Sequence, residues 1–208
     1  QTGALSPDGR YLLVATNRLY VIDVSGQNEN LINPGGIGII GTAIDITFNL
    51  EGTRAFILSR GATVTYVTAI NLGPNPTVSG SSLELPGGGT DIATSPTGGV
   101  FVAARDRLWV IDPATNQVVP GGEIGIVATP QRIVFTPNGR YALLINTEPV
   151  RGGKSLYAFD LDNLAAAPAS WPSGNETPPQ FDKLILTGNN RGFVFAGENT
   201  TLYDLQVA

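Results

Sequence analysis

Four charged side chains, two acidic and two basic, occupy one equivalent position in four copies of an internal repeat. Each stands directly before an apolar residue of a short β-rich run. The pairs are Asp45 with Ile46, Asp91 with Ile92, Arg132 with Ile133, and Lys183 with Leu184. If they converge, two carboxylates and two cations form a ring that could bind a polar ligand or an ion. The alternative is a network of ion pairs that only neutralises the surface.

Several common catalytic chemistries are excluded by residues that the chain lacks. It contains no Cys and no His, so neither a thiolate nucleophile nor a Ser-His-Asp arrangement can form. Without His, Cys or Met, a haem iron lacks its usual axial ligands. We therefore assign no catalytic residue, no metal ligand and no cofactor. Asp45 and Asp91 leave two other chemistries open. They could share acid and base roles if their pKa values differed, or they could hold an oxygen-ligated ion such as Ca²⁺.

The charge balance narrows the possible partners. The chain of 208 residues has 12 basic and 17 acidic side chains, a formal charge of −5, and no cluster of Lys or Arg dense enough to follow a phosphate backbone. We therefore expect no nucleic-acid partner. Apolar runs such as 141–145 are far shorter than the roughly 20 residues of a membrane-spanning helix, so no membrane span is expected. Because no Met is present, we interpret Gln1 as an end left by processing or trimming.

A polar turn followed by an apolar strand recurs along the chain. The good copies are SPDGRYLLVAT (6–16), NLEGTRAFILS (49–59), SPTGGVFVAAR (95–105) and TPNGRYALLIN (136–146). Their turn glycines, Gly9, Gly52, Gly98 and Gly139, are separated by 43, 46 and 41 residues. A worn fifth copy, TGNNRGFVFAG (187–197), has Asn190 at that position. Gly or Asn there predicts a backbone site with positive φ.

A second marker follows each turn and strand. The segments RLYVIDV (18–24), VTAINL (67–72), RLWVIDP (107–113), SLYAFDL (155–161) and TTLYDLQ (200–206) align on Asp23, Asn71, Asp112, Asp160 and Asp204. Five aligned polar residues could suggest a ring of carboxylates. Asp or Asn before a turn, however, commonly accepts hydrogen bonds from its own downstream backbone. We therefore predict a structural role for this position.

Both markers are rich in β-branched and aromatic residues and are bounded by Gly, Pro, Asn and Asp, as strands and hairpins are. A short apolar strand precedes each turn and a weaker Gly-rich strand lies between units, as in 116–127. Four antiparallel strands in 40 to 50 residues are typical of a β-propeller blade. We predict an all-β fold: one β-propeller domain over 1–208 with about five four-stranded blades, which could belong to a longer propeller. The approximate repeats are 1–42, 43–89, 90–130, 131–180 and 181–208.

Turns such as SPDGRYLLVA followed by LYVIDV resemble the YVTN-type propeller repeats of surface-layer-like and lactonase-like proteins. The resemblance covers nearly the whole chain in four good copies and one poor copy. It implies a propeller with a central channel, often on secreted or cell-surface proteins. The chain is shorter than lactonase-like propellers, which usually have seven blades. The last repeat also lacks a fourth strand, so either its blade has three strands or the chain is part of a longer one.

These observations predict where a site would lie. If the strands that hold Asp45, Asp91, Arg132 and Lys183 line the channel, the four side chains meet at its mouth, where propeller ligands commonly bind. Trp171 lies in the longest insertion of the repeat, 168–181, and could contact a partner, since loops on rigid scaffolds often carry function; a plain surface loop is the alternative. Trp109 replaces Tyr20 of the first repeat and is expected to pack in the core.

Three functions remain open. The first is a non-enzymatic binding or scaffold module, extracellular, periplasmic or on the cell surface, for a protein, a glycan or a small polar ligand. The second is a lactonase-like or metal-dependent hydrolase using Asp45 and Asp91. The third is a structural domain of a long surface or filament protein. All three depend on the fold and the resemblance, and a fold does not by itself specify an activity.

Overall fold

Strands account for nearly all regular structure among the described residues of this chain. The computed structural model describes residues 1–126, 129–146, 154–171, 181–187, 191–196 and 201–206. Over these residues it contains strands and turns, and no helix long and apolar enough to cross a membrane. The short segment 162–170 forms turns that lead into a strand at Ala169.

The described residues form twenty-one strands in five antiparallel sheets, in chain order. The first sheet consists of β1 (Thr2–Leu5), β2 (Tyr11–Ala15), β3 (Arg18–Asp23), β4 (Asn30–Leu31) and β5 (Ile37–Gly38), the last two both paired with β3. The second consists of β6 (Thr42–Phe48), β7 (Arg54–Arg60), β8 (Val64–Asn71), β9 (Thr77–Val78) and β10 (Leu83–Pro86), the last two both paired with β8. Each sheet therefore has three full strands and a broken or short fourth.

The remaining sheets repeat this order. The third sheet consists of β11 (Gly89–Thr94), β12 (Val100–Ala104), β13 (Arg107–Asp112) and β14 (Gln117–Gly125). The fourth consists of β15 (Arg132–Phe135), β16 (Tyr141–Ile145), β17 (Leu156–Asp160) and β18 (Ala169–Trp171). The fifth has three described strands, β19 (Phe181–Leu186), β20 (Arg191–Ala196) and β21 (Thr201–Gln206). The first strands of the first four sheets pack side by side in order: β1 beside β6, β6 beside β11, and β11 beside β15.

The repeated turn between the first two strands has the predicted backbone. The turn glycines Gly9, Gly52, Gly98 and Gly139 have φ values of 70°, 69°, 95° and 70°. In the first turn Ser6 Oγ accepts the Tyr11 N–H at 2.9 Å and donates to Asp8. In the fourth turn Thr136 Oγ1 accepts the Tyr141 N–H at 3.0 Å and donates to Asn138. The positive φ is therefore confirmed for these four glycines, while Asn190 lies outside the described residues.

The third turn is one residue shorter than the sequence alignment suggests. In the first sheet the Ser6 N–H donates to the Tyr11 carbonyl, five residues on, at 2.8 Å. In the third sheet the Ser95 N–H donates to the Gly99 carbonyl, four residues on, also at 2.8 Å. Gly99 is thus the structural equivalent of Tyr11. Every later residue of β12 shifts by one position relative to an alignment on the turn glycines, and a shift of one residue exchanges the two faces of a strand.

The aspartates that end the third strand of the first, third and fourth sheets organise the following turns. Asp23, Asp112 and Asp160 each accept the backbone N–H two residues ahead, from Ser25 at 3.0 Å, Ala114 at 2.9 Å and Asp162 at 3.0 Å. Hydrogen bonds to a carboxylate favour its charged form. The side-chain bond from Ser25 lowers the pKa of Asp23, and the backbone bond from Ala114 lowers that of Asp112. The structural role predicted for these aspartates is confirmed.

The apolar core lies between successive sheets. Alternate residues of a strand face opposite sides, so each of the inner sheets presents one apolar face to the preceding sheet and one to the following sheet. Leu13 and Val21 of the first sheet pack against Ile57 and Ile70 of the second, and all four are fully buried. Comparable clusters join the second sheet to the third, the third to the fourth, and the fourth to the fifth. Trp109, which was expected to pack in the core or between blades, is buried in the cluster between the second and third sheets.

Candidate site at the ends of the inner strands

Asp45, Asp91 and Arg132 lie at the same end of three successive sheets. Each belongs to the first strand of its sheet, and β11 packs against both β6 and β15. Each is also followed by a buried isoleucine that holds the strand in the core. The equivalent Lys183 lies in β19, paired with Phe195 in register, but its side chain is outside the described part of the structure. The repeat therefore brings the three described candidates to one end of the sheets.

A β-bulge directly precedes both aspartates. The register of β6 with β7 shifts between Ala43 and Asp45, and that of β11 with β12 shifts between Gly89 and Asp91. Bulges insert one residue, bend the strand and change the direction of a nearby side chain. The backbone of β19 has the same shift directly before Lys183. The sequence showed no signal for these bulges, because the extra residue is apparent only from the pairing.

Each aspartate bridges to the next sheet through a backbone hydrogen bond. Asp45 Oδ1 accepts the N–H of Ile46 at 2.8 Å, and Asp45 Oδ2 accepts the N–H of Ile92 at 3.4 Å. Asp91 Oδ2 accepts the N–H of Ile133 at 2.6 Å. The carboxylate of one sheet thus binds the equivalent isoleucine of the following sheet, twice in succession. These contacts hold neighbouring inner strands together at the end where the candidates lie.

The Asp91 carboxyl has a raised pKa. Burial raises its pKa, and the adjacent Asp45 carboxyl raises it further through a hydrogen bond and charge repulsion. The Ile133 N–H and the Arg132 charge oppose these effects, and the pKa of Asp91 is about 7. Two carboxyl groups in contact are most stable when they share a proton or meet a cation. Near neutral pH the Asp91 carboxyl is therefore present in both its protonated and its charged form.

The ion pairs of the described residues lie elsewhere. Arg10 pairs with Asp23 at 3.5 Å and Arg140 with Asp160 at 3.2 Å, each at the opposite end of its sheet. Arg107 lies against Asp106 and Glu123 near the outer edge of the third sheet. Among the described side chains at the candidate site, the carboxylates are held by backbone N–H groups and by one another. The described part of the chain also has no cluster of three or more acidic residues suited to a metal ion.

A cavity of about 520 Å³ adjoins the residues that precede Asp45. It is lined by Thr42, Ala43, Ile44, Arg60 and Gly61, at the start of β6 and the end of β7. Arg60 is exposed and pairs in register with Thr42. It adds a cation to this end of the second sheet that sequence reasoning missed. Arg60 directly follows the repeated segment 49–59. This position was the signal available in the sequence.

At the opposite end, Arg54 joins the second and third sheets. Its guanidinium donates to the carbonyls of Pro113 and Ala114, at 2.5 and 2.7 Å, and to Ser79 Oγ at 2.9 Å. It borders a cavity of about 500 Å³. Sequence analysis did not single out Arg54, because the other good repeats have Tyr, Val or Tyr at the aligned position. Its contacts are with the protein's own backbone, so it is a structural clamp.

Trp171, the candidate partner residue, is half-buried at the end of β18. It packs against the cluster of Leu143, Ile145 and Leu156, and its carbonyl accepts the Ser155 N–H at 2.9 Å. Much of the indole surface is therefore in contact with the fourth sheet. The residues that follow Trp171 in the insertion, 172–180, lie outside the described part of the chain. Contact between Trp171 and a partner stays a prediction.

Comparison with known proteins identifies the fold of the chain. No protein-family model and no curated protein matches the chain, but solved structures do. A functionally unknown protein from Desulfotomaculum acetoxidans has a TM-score of 0.70 at 15% identity over 98% of this chain and 68% of its own. Hydrazine synthase from Kuenenia stuttgartiensis has a TM-score of 0.68 at 16% identity over 93% of this chain and 60% of its own. The chain has the β-propeller fold.

A third similar structure is described as a 6-phosphogluconolactonase candidate from Bacteroides uniformis. Its TM-score is 0.62 at 17% identity, over 82% of this chain and 52% of its own. At such identities the likeness shows the fold and not the activity. The chain spans only about half to two thirds of these three structures. The predicted all-β propeller is confirmed, while membership of the YVTN-type repeat family stays a prediction.

Proposed function

We propose that this β-propeller is a non-enzymatic binding module whose site is the inner-strand end marked by Asp45, Asp91 and Arg132. The observation that carries the proposal is the contact between the Asp45 and Asp91 carboxyls, with burial holding a proton on Asp91 to about pH 7. A desolvated carboxyl pair gains stability from a cation or a hydrogen-bond donor that replaces this proton. The preferred ligand is therefore a small polar molecule with a cationic group.

The surroundings supply further recognition groups. Arg132 is exposed beside Asp91, and the cavity next to Asp45 carries Arg60 on its wall. A ligand with an anionic group in addition to its cationic group could contact both types of side chain. The proposal includes a secreted or cell-surface location, which is supported by the repeat resemblance and is checked by fractionating the cells that produce the protein.

Binding of simple cations tests the site. We expect 1,4-diaminobutane, or Ca²⁺ as an inorganic probe, to bind more tightly at pH 8 than at pH 5.5 in calorimetric titrations, because the ligand competes with the proton of Asp91. The variants Asp45→Asn and Asp91→Asn should each weaken binding by about tenfold or more, the effect expected for loss of a charge-assisted contact. The matched control is Asp112→Asn, which removes a carboxylate from a turn at the other end. Equal binding by all variants, or none by the native chain, would contradict the proposal.

The second candidate function is hydrolysis at the same carboxyl pair. A carboxyl group with a pKa of about 7 is suited to general acid-base catalysis near neutral pH, and one similar fold is described as a lactonase candidate. Hydrolysis of 6-phosphogluconolactone above the uncatalysed rate, lost in Asp91→Asn, would favour this function. Activity that persists in Asp91→Asn would place any hydrolysis elsewhere.

A further inference from the structure

We propose that the cavity beside Asp45 holds an anionic end of the ligand and that Arg60 is the residue that recognises it. This inference rests on the proposed function, in which the carboxyl pair of Asp45 and Asp91 binds a cationic group. Together the two sites fit a zwitterion whose ammonium and carboxylate groups lie at opposite ends of an aliphatic chain. The class of ligand is therefore an ω-amino carboxylate.

The guanidinium of Arg60 has no partner among the described residues. Five other arginines are bound to the protein's own groups: Arg18 and Arg54 to backbone carbonyls, and Arg10, Arg107 and Arg140 to carboxylates. Arg60 is exposed, with neither an ion pair nor a side-chain hydrogen bond to the described part of the chain. The exposed hydroxyl of Thr42, directly opposite Arg60 on β6, is equally free there. A guanidinium binds a carboxylate through two parallel hydrogen bonds, so these side chains supply the donors that an anion needs.

The β-bulge of β6 brings Asp45 to the same side of the second sheet as Arg60. Thr42 pairs with Arg60 and Asp45 pairs with Leu58, while Leu58 and Arg60 are two residues apart on β7. Paired residues share a face, and so do residues two apart on one strand. Without the extra residue Ile44, Thr42 and Asp45 would be separated by an odd number of positions in a regular strand and would face opposite sides. The bulge therefore makes Asp45 a diagonal neighbour of Arg60, a position in which Cβ atoms are about 7–8 Å apart.

The space beside these charged side chains suits an aliphatic chain. The cavity of about 520 Å³ has the size of a small-molecule site. Besides Arg60 and Thr42, its lining includes the apolar Ala43 and Ile44, which directly precede Asp45. Apolar side chains favour contact with methylene groups and disfavour an unpaired charge. We therefore expect a ligand with its charges at the two ends and none between them.

Calorimetric titrations at pH 8 with matched probes test the inference. The probes are 6-aminohexanoate and hexylamine, which has an equally long chain and the same ammonium group but no carboxylate. We expect the native chain to bind 6-aminohexanoate at least about tenfold more tightly than hexylamine, the gain from one charge-assisted contact. Arg60→Gln should abolish this gain without weakening the binding of hexylamine. The matched control is Arg105→Gln, which removes another exposed guanidinium from the same end of the third sheet and should keep the gain.

The possible failures of the two proposals are distinguishable. If the native chain binds the two probes equally, or if the gain survives in Arg60→Gln, the role of Arg60 is overturned and the carboxyl pair still stands as a cation site. If the native chain binds neither of these probes, nor 1,4-diaminobutane, nor Ca²⁺, both the inference and the proposed function are contradicted.

Reversal of the charge at Arg60 tests the same role in the opposite direction. Arg60→Glu places a carboxylate where the anionic end of the ligand would bind, so the preference should invert. We expect this variant to bind 1,6-diaminohexane more tightly than 6-aminohexanoate. Arg60 is exposed, so the variant is expected to fold, and circular dichroism checks this. A folded Arg60→Glu variant that keeps the native preference would overturn the assignment.

Discussion

At the scale of single residues, Asp91 carries the most unusual chemistry of the described chain. Its carboxyl group combines burial, contact with Asp45 and one short hydrogen bond from the Ile133 backbone. Asp23 and Asp112, which end third strands, have the opposite environment, since two or more hydrogen bonds favour their charged form. Residues of one type, repeated along one sequence, thus differ in protonation because their surroundings differ.

The raised pKa of Asp91 predicts a pH-dependent stability. The unfolded chain releases this proton near the ordinary value of 3.8, whereas the folded chain holds it to about pH 7. The folded state therefore binds more protons in this window, and stability falls as the pH rises from about 4 to about 7. Asp91→Asn keeps an acceptor for the Ile133 N–H and removes the charge. We expect it to be more stable than the native chain at pH 8, by an amount on the order of a few kcal/mol, and similar at pH 4.

Urea unfolding at pH 4 and pH 8 measures this difference. The control is Asp112→Asn, for which the pH dependence of stability has the opposite sign. The pKa of Asp112 is lowered in the folded state, so its charge stabilises the fold at pH 8 and that contribution is lost in acid. Parallel pH profiles for the native chain and Asp91→Asn would show that Asp91 titrates normally.

At the scale of elements, the turns and bulges determine where side chains point. The four turn glycines keep a backbone that residues with a side chain adopt at a cost, and the bulges before Asp45 and Asp91 redirect both carboxyls. The turns follow from local residue types, since Ser, Asp and Gly form them with their own backbone. The bulges and the shorter third turn are visible only in the pairing of strands, which explains why the sequence alignment of the third repeat was displaced by one residue.

Substitution of two glycines distinguishes the conformational cost of a positive φ from the steric cost of an added Cβ. Gly9 has φ of 70° with no atom within 4 Å of an added Cβ, whereas at Gly41, with φ of 77°, an added Cβ would lie 2.2 Å from the Arg60 carbonyl oxygen. We expect Gly9→Ala to lower the free energy of unfolding by about 1–2 kcal/mol, and Gly41→Ala to lower it by more because the backbone must also move. Denaturant titration of both variants provides the comparison. Equal losses would indicate that the Gly41 site relaxes freely.

At the scale of the whole molecule, stability comes from apolar layers between successive sheets, and among the described residues the first sheet has such a layer on the side of the second sheet. In repeat architectures each unit contacts mainly its neighbours, so the cost of a substitution depends on whether a neighbour is present. The same position can therefore be core in one sheet and surface in another.

Val102 and Val14 test this dependence with one substitution at equivalent positions. Each lies two residues beyond the partner of the last residue of the first strand, which is Leu12 in the first sheet and Val100 in the third. Val102 is fully buried between the second and third sheets, and Val14 is half-buried on the face of the first sheet that points away from the second sheet. Val102→Ala should cost about 2 kcal/mol through lost burial and a new cavity, and Val14→Ala less than about 1 kcal/mol. Thermal or urea unfolding in dilute solution is the appropriate measurement. A Val14→Ala loss as large as that of Val102→Ala would mean that Val14 is as well covered as Val102.

The sequence alone determined the strands, the turns, their period and hence the propeller fold, because these depend on residue types close together in the chain. It also identified Asp45 and Asp91 as equivalent. Only the tertiary structure decided that the two carboxyls touch, that each binds the backbone of the following sheet, that Arg54 and Arg60 border cavities, and that Leu5 is exposed. The two carboxylates and the Arg54 guanidinium contact the following sheet through backbone groups 42 to 60 positions away. Exposure and cavities depend on the space left around a side chain after the sheets have packed, and no local sequence pattern records either quantity.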